Sequence, residues 1–250
     1  MDLREHQSTQ QRHPWEVSRF RFLSAVLADQ GLTRSARRVL DAGAGDAWFS
    51  QQLTARLDPD CRISCWDAEY TDDFMTQLRS TRPDTMTFSA SRPAAQHDLI
   101  LLLDVLEHVQ DDRGFLRTLV KESLAPGGWL LFSVPAWPRL FSAHDTWLHH
   151  FRRYTPAQAR GVLQESGLRI AKDGGLFHSL LAPRLATVMR EKLPVSAGPV
   201  APAIAWNQPQ AVTRAVEWVL AADNQLSRVA ANAGIQLPGL SYWAVCQRQS

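Results

Sequence analysis

Arg38-Val39-Leu40-Asp41-Ala42-Gly43-Ala44-Gly45-Asp46 is the stretch that decides the fold of this chain. A short apolar run ends in an acid, and two glycines follow, one residue apart. Such a run is the signature of a buried parallel strand. The glycines let the backbone turn sharply and approach a ligand closely. Helix-forming sequence comes next, from Ala47 to Leu57, so the unit reads strand, glycine turn, helix. In an open α/β sheet, ligands bind just outside the carboxyl ends of the strands, where this turn sits.

Two ligand classes use such a turn. A dinucleotide fingerprint wants a third glycine three positions after the second. Trp48 stands there, which argues against a nicotinamide-dependent oxidoreductase. The segment VLDAGAGDAWFS instead resembles motif I of the class I S-adenosylmethionine (SAM)-dependent methyltransferases, an apolar strand followed by D-x-G-x-G. Asp41, Gly43 and Gly45 match it, whereas Asp46 replaces the usual Thr or Ser. The resemblance implies SAM as cofactor, S-adenosylhomocysteine (SAH) as product, and Asp41, Gly43 and Gly45 as cofactor-binding residues.

Spacing supports that reading. Cys61 to Trp66 forms a second strand candidate ending in Asp67. A carboxylate at the tip of the second strand, roughly 20 residues past the turn, is where ribose hydroxyls are held in nucleotide-binding α/β folds. It accepts two hydrogen bonds from a diol. The alternative for Asp67 is a solvated loop acid. A third strand, His97 to Leu103, runs into Asp104-Val105-Leu106-Glu107-His108-Val109, and a helix follows from Phe115 to Leu124. Ala125-Pro126-Gly127-Gly128 ends that helix, and Trp129 to Val134 is the next buried strand. HDLILLLDVLEHV, LAPGG and WLLFSVP are similar, in order, to the middle of the same family. The resemblance places Asp104 against the ribose or methionine part of the cofactor. In the loop after Met86-Thr87-Phe88 it leaves Ser89 to accept a hydrogen bond from adenine.

The 250 residues suffice for one large α/β domain with an insertion. Apolar content of 45% and charged content of 21% are ordinary for a soluble globular protein. A net charge of +2 gives no field to gather nucleic acid, so no nucleic-acid partner is expected. No apolar run is long enough for a transmembrane helix, and the polar N-terminus lacks the apolar core of a signal peptide. Three cysteines without metal-ligand spacing fit a reducing cytoplasm.

The expected architecture is α/β: a Rossmann-like, seven-stranded, mostly parallel sheet with helices on both faces and a helical insertion before the last strand. Residues 1–35 read as an N-terminal helical cap, with helical spacing from Val17 to Leu27. Residues 36–173 form the SAM-binding core, including a helix over 156–167 and a sixth strand from Leu168 to Ala171. Residues 174–238 form the insertion, with a Pro-rich patch from Pro194 to Pro209 and a long helix from Ala211 to Asn232. Along that helix Val212, Val216, Val219 and Leu226 share a stripe, widened by Trp218 and Leu220. The insertion is an acceptor lid, a dimer surface, a lipid-facing surface or a plain core helix. Residues 239–250 carry the last strand, Leu240 to Cys246, and the whole reads as a single domain. RHPWEVSRFRFL resembles a leader that precedes motif I in one subgroup, which implies that Trp15 and Arg19 cover the cofactor. An arginine fork suits a carboxylate because it pairs two oxygens at once.

Methyl transfer from a sulfonium is an in-line displacement, so the protein mainly binds, aligns and shields. An acceptor hydroxyl or ammonium must also lose a proton, and His is the natural base at neutral pH. SVPAWPRLFSAHDTWLHHFRRYTPAQ clusters His144, His149 and His150 beside Asp145. Its H-D-x4-H-x-R-R-Y spacing resembles a methyltransferase type 11/12-like subgroup linked to envelope lipid or glycan chemistry. His144, Asp145, His150, Arg152, Arg153 and Tyr154 match. His144 or His150 is the candidate base, and Asp145 orients an imidazole. The bland alternative is a set of hydrogen bonds that pins a loop.

No metal is expected. An alternative rests on Asp104, Glu107 and His108 sharing one helical face if Val105 begins a helix. That pattern resembles the divalent-metal site of small-RNA 3′-end methyltransferases, with His150 as the distant ligand, and would suit Zn²⁺ or Mn²⁺ better than Mg²⁺. The leading expectation is a cytoplasmic methyltransferase acting on a small-molecule or lipid/glycan-linked acceptor, oxygen slightly favoured, with peripheral membrane contact left open. A SAM-binding regulatory or scaffold protein without turnover is the second reading. An RNA methyltransferase is the third. The sequence is silent on oligomeric state.

Overall fold

The computed structural model describes residues 12–192, 206 and 208–249. Seven strands run β1 (Arg38–Ala42), β2 (Arg62–Trp66), β3 (Met86–Ser89), β4 (His97–Leu103), β5 (Leu124–Pro135), β6 (Leu168–Leu176) and β7 (Ser241–Arg248). The helices are α1 (Pro14–Asp29), α2 (Leu32–Ser35), α3 (Trp48–Thr54), α4 (Asp72–Thr81), α5 (Asp112–Ser123), α6 (Ala143–Trp147), α7 (Pro156–Glu165), α8 (Leu181–Lys192) and α9 (Gln210–Asn232). One sheet has the order β3-β2-β1-β4-β5-β7-β6. Strand β7 is antiparallel to both β5 and β6, and the pairs from β3 to β5 are parallel. The expected seven-stranded, mostly parallel sheet is therefore the one observed.

Alternation along the strands divides the core. On β4, Leu99, Leu101 and Leu103 face one side with Val39, Ile63, Trp243 and the α1 residues Leu23 and Leu27. Ile100 and Leu102 face the other with Leu40, Phe132, Tyr242 and Leu116, Leu119 and Val162 of α5 and α7. Successive strand side chains point to opposite faces, so a strand apolar throughout is buried from both sides. The two halves of the sheet diverge between β1 and β4, and a cleft opens there, outside their carboxyl ends.

Several boundaries differ from expectation for local reasons. Helix α5 starts at Asp112 because the Asp111 carboxylate accepts the Gly114 N–H at 3.0 Å, capping the first turn. Ala125 to Gly128 belongs to the start of β5, with Gly127 at φ 72°. Strand β6 continues to Leu176 because β7 pairs with it from Leu168↔Arg248 to Leu176↔Ser241. It thereby crosses the boundary expected at 173/174. Of the insertion, the segment 193–205, which holds most of the Pro-rich patch, lies outside the described residues, as do residues 1–11 of the cap.

Helix α9 spans the expected range, but its expected stripe is split: Val216 and Leu220 pack inward, and the rest of it faces outward. Thr213, Leu220, Asn224 and Ser227 are buried, while Val212, Trp218, Val219 and Leu226 are exposed. Polar anchors set that rotation. Asn224 Nδ2 donates to Ser18 Oγ at 2.8 Å, and Ser227 Oγ donates to the Gly175 carbonyl at 2.8 Å. The helix thus lies against α1 and β6. No described helix is long and apolar enough to cross a membrane.

Gly175 packs directly against the chain that enters β7. A Cβ there would collide with the backbone of Leu237 to Gly239, which cannot rotate aside. Gly175→Ala is expected to lower stability by about 1–3 kcal/mol, the usual cost of overpacking. A melting temperature equal to that of the parent would show the contact to be loose.

Candidate active site

The cleft beyond β1, β2 and β4 encloses about 680 Å³, within the range of small-molecule and cofactor sites. Its floor is the glycine turn. Gly43, at φ 73°, donates its N–H to the Trp66 carbonyl at 2.7 Å. Gly45, at φ 54°, donates to Asp67 Oδ2 at 2.9 Å. A Cβ on Gly43 would run into the Val105 side chain, so only glycine lets the turn and Val105 pack together in this wall. Asp67 also accepts the Glu69 N–H at 2.9 Å and lines the cleft. One carboxylate thus joins the turn to the tip of β2 while facing the ligand space.

Asp41 does not line the cleft. It lies behind the turn, buried, and accepts the Ser50 hydroxyl at 2.7 Å. Burial pushes its pKa up to about 6, the Ser50 hydrogen bond opposes that, and the charges of Asp67 and Asp46 add to it. Asp46 pairs with Arg12, and its carbonyl accepts from Arg82 at 3.0 Å. Ser89 also stands outside the cleft lining, and its hydroxyl turns back to the Ser91 carbonyl at 2.7 Å.

Asp104 sits at the tip of β4 at φ 56°, a left-handed conformation that Asp tolerates better than most residues. Arg19 grips it at 2.7 Å and reaches Ser133 Oγ at 3.0 Å, while Ser133 donates to Asp104 Oδ1 at 2.9 Å. The Arg19 guanidinium also lies 5.7 Å from the Trp15 ring centre. Trp15, Arg19 and Asp104 therefore form one wall of the cleft.

The expected helical face of Asp104, Glu107 and His108 is corrected. Val105 begins no α-helix, and Leu106–His108 is a single 3₁₀ turn. Asp104 points to Arg19 and Ser133 instead. Glu107, His108 and His150 come together without it, with one ligand-type atom from each within 4.8 Å of the others. Glu107 is 1% exposed, and neither carboxylate oxygen has a hydrogen-bond partner among the described residues. Burial and then the Asp104 charge push its pKa well above the ordinary range.

Behind His150 lies Asp145, which is fully buried. It accepts from His150 Nδ1 at 2.9 Å, Arg153 Nε at 2.7 Å, Arg184 at 2.6 Å and the Ser142 N–H at 2.9 Å. Burial alone would raise its pKa. The His150 hydrogen bond and the two guanidinium charges outweigh that and hold it well below the usual carboxylate range. An ionised carboxylate only accepts, so His150 Nδ1 donates the proton of that bond. Asp145 itself does not line the cleft, whereas His144 and His150 do. Burial, followed by the Arg184 charge, lowers the His144 pKa, which leaves a neutral imidazole at pH 7.

Four cleft residues had no place in the sequence reading: His13, Phe177, Leu180 and Arg184. His13 caps α1, and burial pushes its pKa down to about 4. The other three come from the insertion, and nothing local in the sequence ties them to the cleft.

Two predictions follow from these buried acids. Asp41 ionises near pH 6 folded against an ordinary 3.8. Stability should fall as pH rises from about 4 to 6, by about 3 kcal/mol at roughly 1.4 kcal/mol per decade. Asp41→Asn should lack this slope, and parallel urea-unfolding curves for the two proteins would refute it. Asp145→Asn leaves Arg153 and Arg184 without their counter-charge. It should cost about 3–5 kcal/mol, measured by the same unfolding experiment, and a loss under about 1 kcal/mol, typical of an exposed pair, would contradict a buried one.

The family model for the methyltransferase domain matches residues 15–173, more than half of the chain. No curated protein matches it. Among solved structures, the candidate sarcosine dimethylglycine methyltransferase of Galdieria sulphuraria superposes with a TM-score of 0.57 at 14% identity, over 93% of this chain and 86% of that one. A SAM-dependent methyltransferase from Mesorhizobium loti gives 0.55 at 17%, over 92% and 98%. The 1,6-didemethyltoxoflavin N1-methyltransferase of Burkholderia thailandensis, solved with 1,6-didemethyltoxoflavin and SAH, gives 0.52 at 16%, over 92% and 78%. At such identities these likenesses concern the fold. The family match covers the glycine turn, the acid-tipped strands and the histidine segment alike, and it makes this chain a member of the class I SAM-dependent methyltransferases.

Proposed function

We propose that the enzyme methylates a hydroxyl oxygen on a small-molecule or lipid/glycan-linked acceptor. The observation that carries this reading is the Asp145–His150 pair. Asp145 holds the His150 ring through Nδ1 at the cleft wall, with His144 beside it. When bound, SAM supplies an activated methyl group, so no protein nucleophile is required. The backbone cradle at Gly43 and the Asp67 carboxylate fit a nucleoside with a ribose diol. Gly45 fixes Asp67 in place, and Asp41 supports the turn from behind. Trp15, Arg19 and Asp104 close the wall next to that space.

The acceptor end is different in character. Leu148, Phe151, Phe177, Leu180 and Leu240 give it apolar walls, which suits an acceptor with an apolar body around one reactive polar group. One imidazole of the His144/His150 pair takes the acceptor proton. Asp145 acts on His150 by orientation, as a positioning residue, since it does not reach the cleft.

SAH should bind the purified enzyme with measurable heat, and His144→Ala/His150→Ala should keep that binding. With labelled SAM and a panel of hydroxylated acceptors, the double variant should lose about 100-fold or more in turnover. Turnover equal to the parent would remove the histidines from the chemistry. Absence of SAH binding in the parent would overturn the cofactor assignment itself.

A further inference from the structure

Glu107 presents a problem that methyl transfer alone does not solve. Its carboxyl group is sealed from bulk water, lines the cleft, and finds no hydrogen-bond partner among the described residues. Buried polar groups are paired in the great majority of cases, and an orphan signals a ligand, an ion or a function. His108 and His150 stand beside it, their rings edge-on at 4.6 Å.

We infer that Glu107, His108 and His150 form a binding site for one divalent transition-metal ion, Zn²⁺ or Mn²⁺ in class, at the acceptor end of the cleft. The ligand atoms of the three side chains lie within 4.8 Å of one another, and they must draw in to roughly 3.4 Å, the edge of a tetrahedral site with bonds of about 2.0–2.2 Å, to share one ion. Two imidazole nitrogens and one carboxylate oxygen favour borderline ions over Mg²⁺ or Ca²⁺, which prefer oxygen throughout. Three protein ligands also leave a coordination position open, as in catalytic rather than structural sites.

The surroundings resemble a built site more than a chance cluster. A metal-bound histidine usually donates its other ring N–H to a carboxylate, which fixes ring and tautomer. His150 makes that bond to Asp145 at 2.9 Å. The two ligand-bearing segments are tied by backbone, because the Phe151 N–H donates to the Glu107 carbonyl at 2.8 Å. Arg152 adds a bond to the Gln110 carbonyl at 2.7 Å, and Tyr154 one to Asp112 at 2.8 Å. The nearby guanidinium groups are already engaged, Arg19 with Asp104 and Arg153 and Arg184 with Asp145. No guanidinium hydrogen-bonds Glu107, and a bound cation would itself hold its carboxylate ionised.

For the proposed reaction, the ion would hold and acidify the acceptor oxygen, and the base role would fall to His144. That consequence rests on the methyl-transfer reading, whereas metal binding does not. The test is therefore binding alone. The enzyme, stripped with a chelator and free of cofactor and acceptor, is titrated with Co²⁺ by visible absorption and with Zn²⁺ by calorimetry. One saturable equivalent is expected. Glu107→Gln and His108→Gln should each weaken it by at least about tenfold, with circular dichroism and SAH binding unchanged. No saturable uptake would overturn the proposal. So would uptake of equal affinity in both variants, since the ion would then sit on other histidines. If metal binding fails while SAH still binds and His144→Ala/His150→Ala still loses turnover, methyl transfer stands with His150 restored as a base.

Discussion

The buried charge of Asp145 holds the histidine side of the cleft together. An isolated carboxylate away from water would cost several kcal/mol, and only close, well-directed partners offset that. Asp145 has four partners from three parts of the chain: Ser142 at its own helix start, His150 and Arg153 in the following loop, and Arg184 from α8. Together the bonds constrain three segments. Arg153 also donates to the Ala136 carbonyl at 3.2 Å, which fixes the loop to the end of β5. The insertion is therefore anchored to α6 by charge at one end and to α1 and β6 by the Asn224 and Ser227 hydrogen bonds of α9 at the other.

The cofactor half is organised by backbone rather than by charge. Gly43 and Gly45 turn the chain, and their N–H groups go to Trp66 and Asp67, so β1 and β2 are locked where they meet the ligand space. Asp67 does this while remaining half-exposed, whereas Asp41, only a few residues from the glycines, is wholly enclosed. Asp41 resists ionisation there because burial penalises the charged form.

The fold was readable because its signals are local. Apolar runs on β1 and β4, the glycine turn and the ordered segments after it are patterns within a dozen residues, and the sheet built from them matches expectation. Readings that depended on which way a residue faces fared unevenly. Asp41 and Ser89 belong to the motif stretches, yet burial under Ser50 and a bond to Ser91 keep them out of the cleft. The stripe expected on α9 holds in part: Val216 and Leu220 meet the core, but Asn224 and Ser227 rotate Val212, Trp218, Val219 and Leu226 outward. The face expected for Asp104, Glu107 and His108 required a helix, and the chain makes only one 3₁₀ turn there.

What sequence could not supply was the meeting of distant segments. Arg184 reaches Asp145 across 39 positions, and Phe177 and Leu180 enter the cleft from a segment with no motif at all. These residues shape the histidine side of the cleft, the proposed acceptor end. A cofactor shared by many enzymes is bound through a short local pattern, because its chemistry is the same each time. An acceptor differs from enzyme to enzyme, and its site is assembled from loops and an insertion whose pairing is settled only by tertiary structure. The split between a legible cofactor turn and an illegible acceptor wall therefore follows from the physics of the two sites, and acceptor choice in this enzyme should track changes in α8 and the His144–Tyr154 segment rather than in the glycine turn.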